Sequence, residues 1–243
     1  MSTTLSPRQA ILLLDLTSLN DDDTDDTVRS LCQRAITPYG AVAAVCVMPA
    51  QVALAAQLLS DTPVRVASVA NFPLGAADPE GAKKQTMQLI RDGADEVDVV
   101  FPWRNFLDAD YDVCESLISG CKARCGNTHA LKVILETGAL GDESHVYRAS
   151  RLAIEAGADF IKTSTGKTGQ GATPEAARAM LSAIRDSGAV CGLKVSGGVR
   201  TFAQAASYIS LAEELMGADW VSPANFRIGA SALLGDLLAR LNA

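Results

Sequence analysis

Gly93-Ala94-Asp95-Glu96-Val97-Asp98-Val99-Val100 compresses a helix stop and a buried strand into eight residues. The glycine closes a helical pattern that opens at Asp78-Pro79, a polar cap followed by proline in the first helical position. The run after it is nearly continuous in apolar residues, as a strand covered on both faces requires. Gly-Ala-Asp returns at Gly157-Ala158-Asp159 and Gly217-Ala218-Asp219, each time after a helical pattern and before a strand candidate. The spacings are 64 and 60 residues. A chain of this length divided into eight strand–helix units allots about 30 residues to each, so every interval holds two.

Working outward, the strand candidates are Leu12–Leu16, Val42–Met48, Val64–Ala70, Glu96–Phe101, Leu131–Glu136, Phe160–Ser164, Val190–Ser196 and Asp219–Ser222. Thr173-Pro174-Glu175 opens another helix that Gly188 closes, and Thr201 caps the one that ends at Gly217. Eight parallel strands with eight helices imply a single (β/α)8 TIM barrel, one domain over residues 1–243. An open doubly wound sheet is the alternative, but no Gly-rich dinucleotide turn follows the first strand.

The composition narrows function by exclusion. With 48% apolar and 20% charged residues the chain reads as an ordinary globular protein, and its net charge of −7 argues against a nucleic-acid surface. Ala10 to Leu14 is apolar but is broken by Asp15, so neither a membrane span nor a secretory signal is expected. Six cysteines without a CxxC pair read as free thiols in a reducing cytoplasm. Two histidines, His129 and His145, are too few to suggest a zinc site or a histidine-based triad.

In a barrel, chemistry belongs at the C-terminal strand ends and the loops after them. Those positions carry Asp15, Asp98, Lys162 and Lys194, the last three interrupting apolar runs. The chain has only seven lysines. Lys132 in strand five reads as a structural ion-pair partner of Glu136 or another acid. Two lysines near the ends of adjacent strands suggest more. Burying an ammonium is costly unless it is paired, and two close ammonium groups depress each other's pKa. One is then partly neutral and able to form a Schiff base with a carbonyl. Spacing leaves open which lysine that is.

The loops add an anion pocket: Gly166 and Lys167 after strand six, Gly197, Gly198 and Arg200 after strand seven, and Gly229 and Ser231 at the opening of the last helix. Gly166-Lys167-Thr168 is no Walker A loop, because Ile161 stands where its first glycine is needed. Two rivals stand beside this reading. A Schiff-base aldolase of another specificity would share the lysine with a different pocket. A phosphate sensor would keep the loops and lose a lysine or acid, whereas both lysines and Asp98 are present.

These residues resemble the deoxyribose-phosphate aldolase family, in its bacterial branch. The likeness runs from about Ile11 to Leu238 and is carried by the stretch from Leu14 to Thr24, Asn71-Phe72-Pro73, the stretch from Gly93 to Val100, Glu136-Thr137-Gly138, the stretch from Asp159 to Gly166, and Gly197-Gly198-Val199-Arg200. The resemblance implies a class I aldolase acting on small phosphorylated sugars and aldehydes, with no metal or organic cofactor and with a homodimer as a compatible assembly. It selects Lys162 as the Schiff-base residue, Lys194 as the cation that perturbs it, and Asp98 as a participant in proton transfer. Asp15 falls on a family position that supports the lysines or a substrate hydroxyl. Two departures stand out. Ala232 occupies a position where relatives often have a second serine, and the chain ends Leu241-Asn242-Ala243 where some continue to a tyrosine that assists proton transfer.

Overall fold

Eight parallel strands close into a barrel in the computed structural model, which describes residues 6–242. We number the barrel strands β1 (Leu14–Thr17), β2 (Ala44–Val47), β3 (Arg65–Ala70), β4 (Glu96–Val100), β5 (Ala130–Ile134), β6 (Phe160–Lys162), β7 (Gly192–Ser196) and β8 (Phe226–Ala230). Each pairs with its sequence neighbours, and β1 closes the ring by pairing with both β2 and β8, Asp15 lying opposite Ala44 and Gly229. A small antiparallel hairpin, Ile36–Thr37 with Gly40–Ala41, stands outside the barrel. This is the (β/α)8 TIM barrel that the strand–helix alternation predicts.

The helices begin and end where local chemistry dictates. Asp78 accepts the Gly81 N–H at 2.9 Å ahead of helix Pro79–Arg91. Thr173 accepts the Ala176 N–H ahead of Pro174–Ser187, which stops at Gly188 with a left-handed φ of 66°. Thr201 and Gln204 cap each other's backbone at the start of Phe202–Met216.

The first two Gly-Ala-Asp repeats perform one task. Asp95 accepts the Val66 N–H at 2.9 Å, and Asp159 accepts the Leu131 N–H at 2.8 Å, so each aspartate ties its own strand to the start of the preceding one. The third repeat breaks the rule. Asp219–Ser222 is not a strand; Ala218–Trp220 forms a single 3-10 turn, and the eighth strand is Phe226–Ala230. Pro223 explains the displacement, because it lacks a ladder donor and restricts the residue before it. The chain instead turns through Asn225, whose side chain bonds the Trp220 carbonyl, and only then enters the barrel.

Leu14, Leu16, Val97, Val99, Leu193, Val195 and Ile228 pack outward under the helices in one continuous core. The inward set is unusual for this fold, where branched apolar side chains normally fill the interior. Beside β2 and β3 the filling is small and apolar, from Ala44, Cys46, Ala67 and Val69 with Leu19. Across the rest of the interior it is charged: Asp15, Glu96, Asp98, Lys132, Lys162, Lys194 and Arg227 are all buried. All six cysteines are free and buried. Among the described residues no helix is long and apolar enough to cross a membrane.

Candidate active site

Strand register brings the charges together. Asp98 lies opposite Lys132, Lys162 opposite Lys194, and Lys194 opposite Arg227. Asp98 is the hub. Its Oδ2 lies 2.8 Å from both Lys162 Nζ and Lys194 Nζ, and its Oδ1 lies 2.7 Å from Lys132 Nζ. Lys194 Nζ also lies 2.6 Å from Asp15 Oδ2, and Lys132 Nζ lies 2.6 Å from Glu96 Oε2. Arg227 closes the network, 2.7 Å from Asp15 Oδ1 and 2.9 Å from Glu96 Oε1.

The electrostatics separate the lysines. Burial disfavours the charged form of each, and for Lys162 it prevails: one Asp98 oxygen does not offset burial plus the neighbouring Lys194, so its pKa falls below the ordinary lysine value. Lys194 suffers the same burial, but Asp15 and Asp98 outweigh it and hold the pKa above the ordinary value. Lys132 is likewise held up against burial by Asp98 and Glu96. Against burial, the surrounding lysines keep the Asp98 carboxyl well below its usual range. Mutual repulsion between the two strand-end lysines is thus only part of the cause. Burial comes first, and the number of carboxylates each amine reaches decides the outcome.

Of the partners open to Lys132, Glu136 or another acid, the structure realises another acid. Glu136 starts the turn after β5 with a left-handed φ of 55° and points away from Lys132. It accepts the Thr165 hydroxyl at 2.5 Å and the Thr168 hydroxyl at 3.1 Å, which fastens the loop after β6 to β5. The acid that Lys132 finds besides Asp98 is Glu96, two residues earlier on β4 and therefore on the same face.

A cavity of about 280 Å³ opens at the C-terminal end of the barrel above Lys162. Its wall includes Gly166, Lys167, Gly197, Gly198, Arg200, Gly229 and Ser231, together with Thr17, Asn20 and Thr165. Asp15, Asp98 and Lys194 do not line it and lie in the buried network beneath Lys162. Gly197 and Gly198 have φ of 88° and 87°, a region costly for any residue with a Cβ, and Gly197 passes against Gly171 of the neighbouring loop. Gly229 serves a different need: a Cβ there would stand 3.1 Å from Lys194 Cε and 3.0 Å from Ser196 Cβ. The last helix, Leu233–Leu241, begins without a side-chain cap at Ala232, so it starts beyond Ser231 and not at it.

Several members of this assembly escape the sequence reading. Arg227 is missed because the eighth strand is sought too early, although Phe226-Arg227-Ile228 carries the same apolar–charged–apolar signal as Leu193-Lys194-Val195. The segment Thr17 to Asn20 contributes wall residues that only the turn after β1 brings to the cavity. Among the described residues no group of three His, Cys, Asp or Glu side chains is placed to hold a metal ion.

The same barrel has known counterparts. A Toxoplasma gondii ME49 protein named provisionally as a deoxyribose-phosphate aldolase superposes with a TM-score of 0.87 at 27% identity, over 96% of this chain and 94% of its own. An aldolase named QR15 is 30% identical with a TM-score of 0.81, over 96% of this chain and 97% of its own. The Aeropyrum pernix deoxyribose phosphate aldolase, described as a tetramer, is 26% identical with a TM-score of 0.78, over 98% of this chain and 93% of its own. Residues 9–234 match the family described as DeoC/LacD family aldolase. That span runs from ahead of β1 into the last helix and takes in every residue of the ionic network, so the chain belongs to the DeoC/LacD aldolases.

Proposed function

We propose that this aldolase reversibly cleaves 2-deoxy-D-ribose 5-phosphate into acetaldehyde and D-glyceraldehyde 3-phosphate through a Schiff base on Lys162. The observation that carries the reading is one amine with a depressed pKa at a cavity whose wall also holds Lys167, Arg200 and three loop glycines. The substrate named for the Aeropyrum pernix relative supports the same choice.

The neutral Lys162 amine attacks the C1 aldehyde of the open-chain sugar, and the carbinolamine loses water to a protonated imine. The C3 hydroxyl gives up its proton, the C2–C3 bond breaks rather than C3–C4, and its electron pair enters the imine as an enamine. Only that scission leaves a two-carbon and a three-carbon aldehyde. The enamine takes a proton at C2, and water releases acetaldehyde and the free amine. Asp98 bridges Lys162 and Lys194, so a proton leaving Lys162 has a carboxylate at contact and the Lys194 ammonium beyond it. Lys194 remains the cation, and Asp15 holds it in place.

Lys167, Arg200, Ser231 and the loop glycines would receive the phosphate, with the uncapped start of the last helix beside them. The six free thiols suit a reducing compartment such as the cytoplasm. A homodimer would cover the exposed side chains of Ile36 and Leu58, which line one groove, and sedimentation velocity reads that assembly directly.

The deciding experiment is borohydride reduction in the presence of acetaldehyde. It should leave an ethyl group on the peptide containing Lys162, and Lys162→Arg should abolish trapping, because a guanidinium stays protonated. Ethylation confined to Lys194, or full cleavage of deoxyribose 5-phosphate by Lys162→Arg, would overturn the assignment.

A further inference from the structure

Inside the barrel four bases meet three carboxylates: Lys132, Lys162, Lys194 and Arg227 against Asp15, Glu96 and Asp98. With every group ionised the cluster would keep one surplus positive charge away from water, which is costly. With one base neutral the charges balance. Arg227 cannot be that base, since its guanidinium does not deprotonate in proteins. It also takes acceptor positions on two of the three carboxylates, with Nη1 and Nη2 on Glu96 and Nη1 on Asp15. Lys132 reaches Glu96 and Asp98, with Asp15 at 3.9 Å, and Lys194 reaches Asp15 and Asp98. Lys162 alone has a single carboxylate oxygen, which it shares with Lys194.

We propose that Arg227 is a positioning residue for the aldol reaction: by saturating Asp15 and Glu96 from the far end of the network, it makes Lys162 the base that gives up its proton. The inference rests on Lys162 being the nucleophile. Arg227 does not line the cavity above Lys162. Its surroundings are Asp15 of β1, Glu96 of β4, the Pro223 carbonyl, and the Phe160 ring of β6 at 5.6 Å from the guanidinium carbon. Lys132 stands behind Glu96, and Arg65, paired with Asp95, shares the opening at the opposite end of the barrel. Lys162 itself faces Asp98, Lys194 and the Cys46 thiol of β2, which burial keeps protonated. Among the described residues no other titratable side chain forms a hydrogen bond or ion pair with Arg227 or Lys162.

The network makes the effect signed. Arg227→Gln removes a fixed positive charge, so the charged form of Lys162 becomes easier to keep and the amine is freed only at higher pH. Glu96→Gln removes a negative charge and acts the other way. The measurement is the pH dependence of acetaldehyde trapping on Lys162, read by peptide mass. Arg227→Gln should move the acid limb up by about one pH unit, a roughly ten-fold slower trapping below the midpoint. Glu96→Gln should move it down, the double variant should return it towards that of the unaltered protein, and Arg227→Lys should leave it in place.

A merely structural arginine would lower the melting temperature and the amplitude without moving two midpoints in opposite directions. If Arg227→Gln does not fold, Glu96→Gln decides alone: a downward displacement supports the proposal, and an unmoved midpoint overturns it. Unmoved midpoints in both single variants, or displacement in the same direction, also overturn it while leaving Lys162 as the nucleophile. Absence of any label on Lys162 in the unaltered protein instead removes the functional reading, and this inference with it.

Discussion

Lys162 and Lys194 share one acceptor atom: each Nζ lies 2.8 Å from Oδ2 of Asp98. What distinguishes them is the second carboxylate, Asp15, which Lys194 reaches at 2.6 Å and Lys162 does not. That one carboxylate contact is what sends the two amines in opposite directions, Lys194 above the ordinary lysine pKa and Lys162 below it.

Asp98→Asn should therefore capture aldehyde yet turn over poorly. Without the carboxylate Lys162 has no anionic partner, which moves its pKa further down, so trapping should persist. The proton bridge to Lys194 is lost, and turnover should fall by roughly two to four orders of magnitude, the usual range for positioned acid–base groups. Deuterium exchange at acetaldehyde C2 is the discriminating readout. Exchange at the rate of the unaltered protein would leave Asp98 an electrostatic role only. Removing one partner from a buried ion pair should also cost about 3 kcal/mol of stability, visible in a thermal melt.

Lys194→Leu tests the cation. Its loss takes a positive charge from beside Lys162, which raises the Lys162 pKa and reduces the neutral amine at pH 7. Trapping should be slow at neutral pH and recover as pH rises, with the acid limb displaced upward by about one unit or more. A profile that falls in amplitude at every pH, with no displacement, would make Lys194 a packing element.

The phosphate wall is tested by selectivity. Arg200→Ala and Ser231→Ala should raise KM for deoxyribose 5-phosphate and leave unphosphorylated deoxyribose nearly unaffected. Ala232→Ser would add a hydroxyl at the start of the last helix, worth about 1 kcal/mol, so KM should fall several-fold at most. Equal losses on both sugars in the first two variants would place the phosphate elsewhere.

Glu136→Gln addresses the loop after β6. The carboxylate accepts three donors from Thr165 and Thr168, whereas an amide keeps only one acceptor oxygen and turns its N–H2 group towards one of those donors. Freed of that anchor, the segment carrying Gly166 and Lys167 should bind phosphate about ten-fold more weakly, or about 1.4 kcal/mol. Trapping of acetaldehyde, which has no phosphate, should change little.

Much of this was legible in the chain because burial leaves a simple trace. Asp98, Lys162 and Lys194 break apolar strands, and a charge inside a buried strand needs partners wherever it lies. The glycines around the cavity were legible as turns for the same local reason. Partner choice was not. Whether Lys132 meets Glu96 or Glu136 depends on strand register, which puts Asp98 beside Lys132 and turns Glu136 towards Thr165. The eighth strand failed by a related route. Two Gly-Ala-Asp repeats lead straight into strands, and the third is separated from its strand by a turn through Pro223 that periodicity does not contain.

The contact between Asp15 and Arg227 joins residues 212 apart in the sequence and can form only when β1 and β8 meet. An unclosed barrel offers Lys162 neither its buried setting nor its matched neighbours, and it is then an ordinary, protonated surface amine. The setting that lowers the Lys162 pKa is thus complete only when the final strand has joined the ring. On the proposed mechanism Lys162 is then able to attack an aldehyde only after the ring has closed, and assembly itself acts as the safety catch on the chemistry.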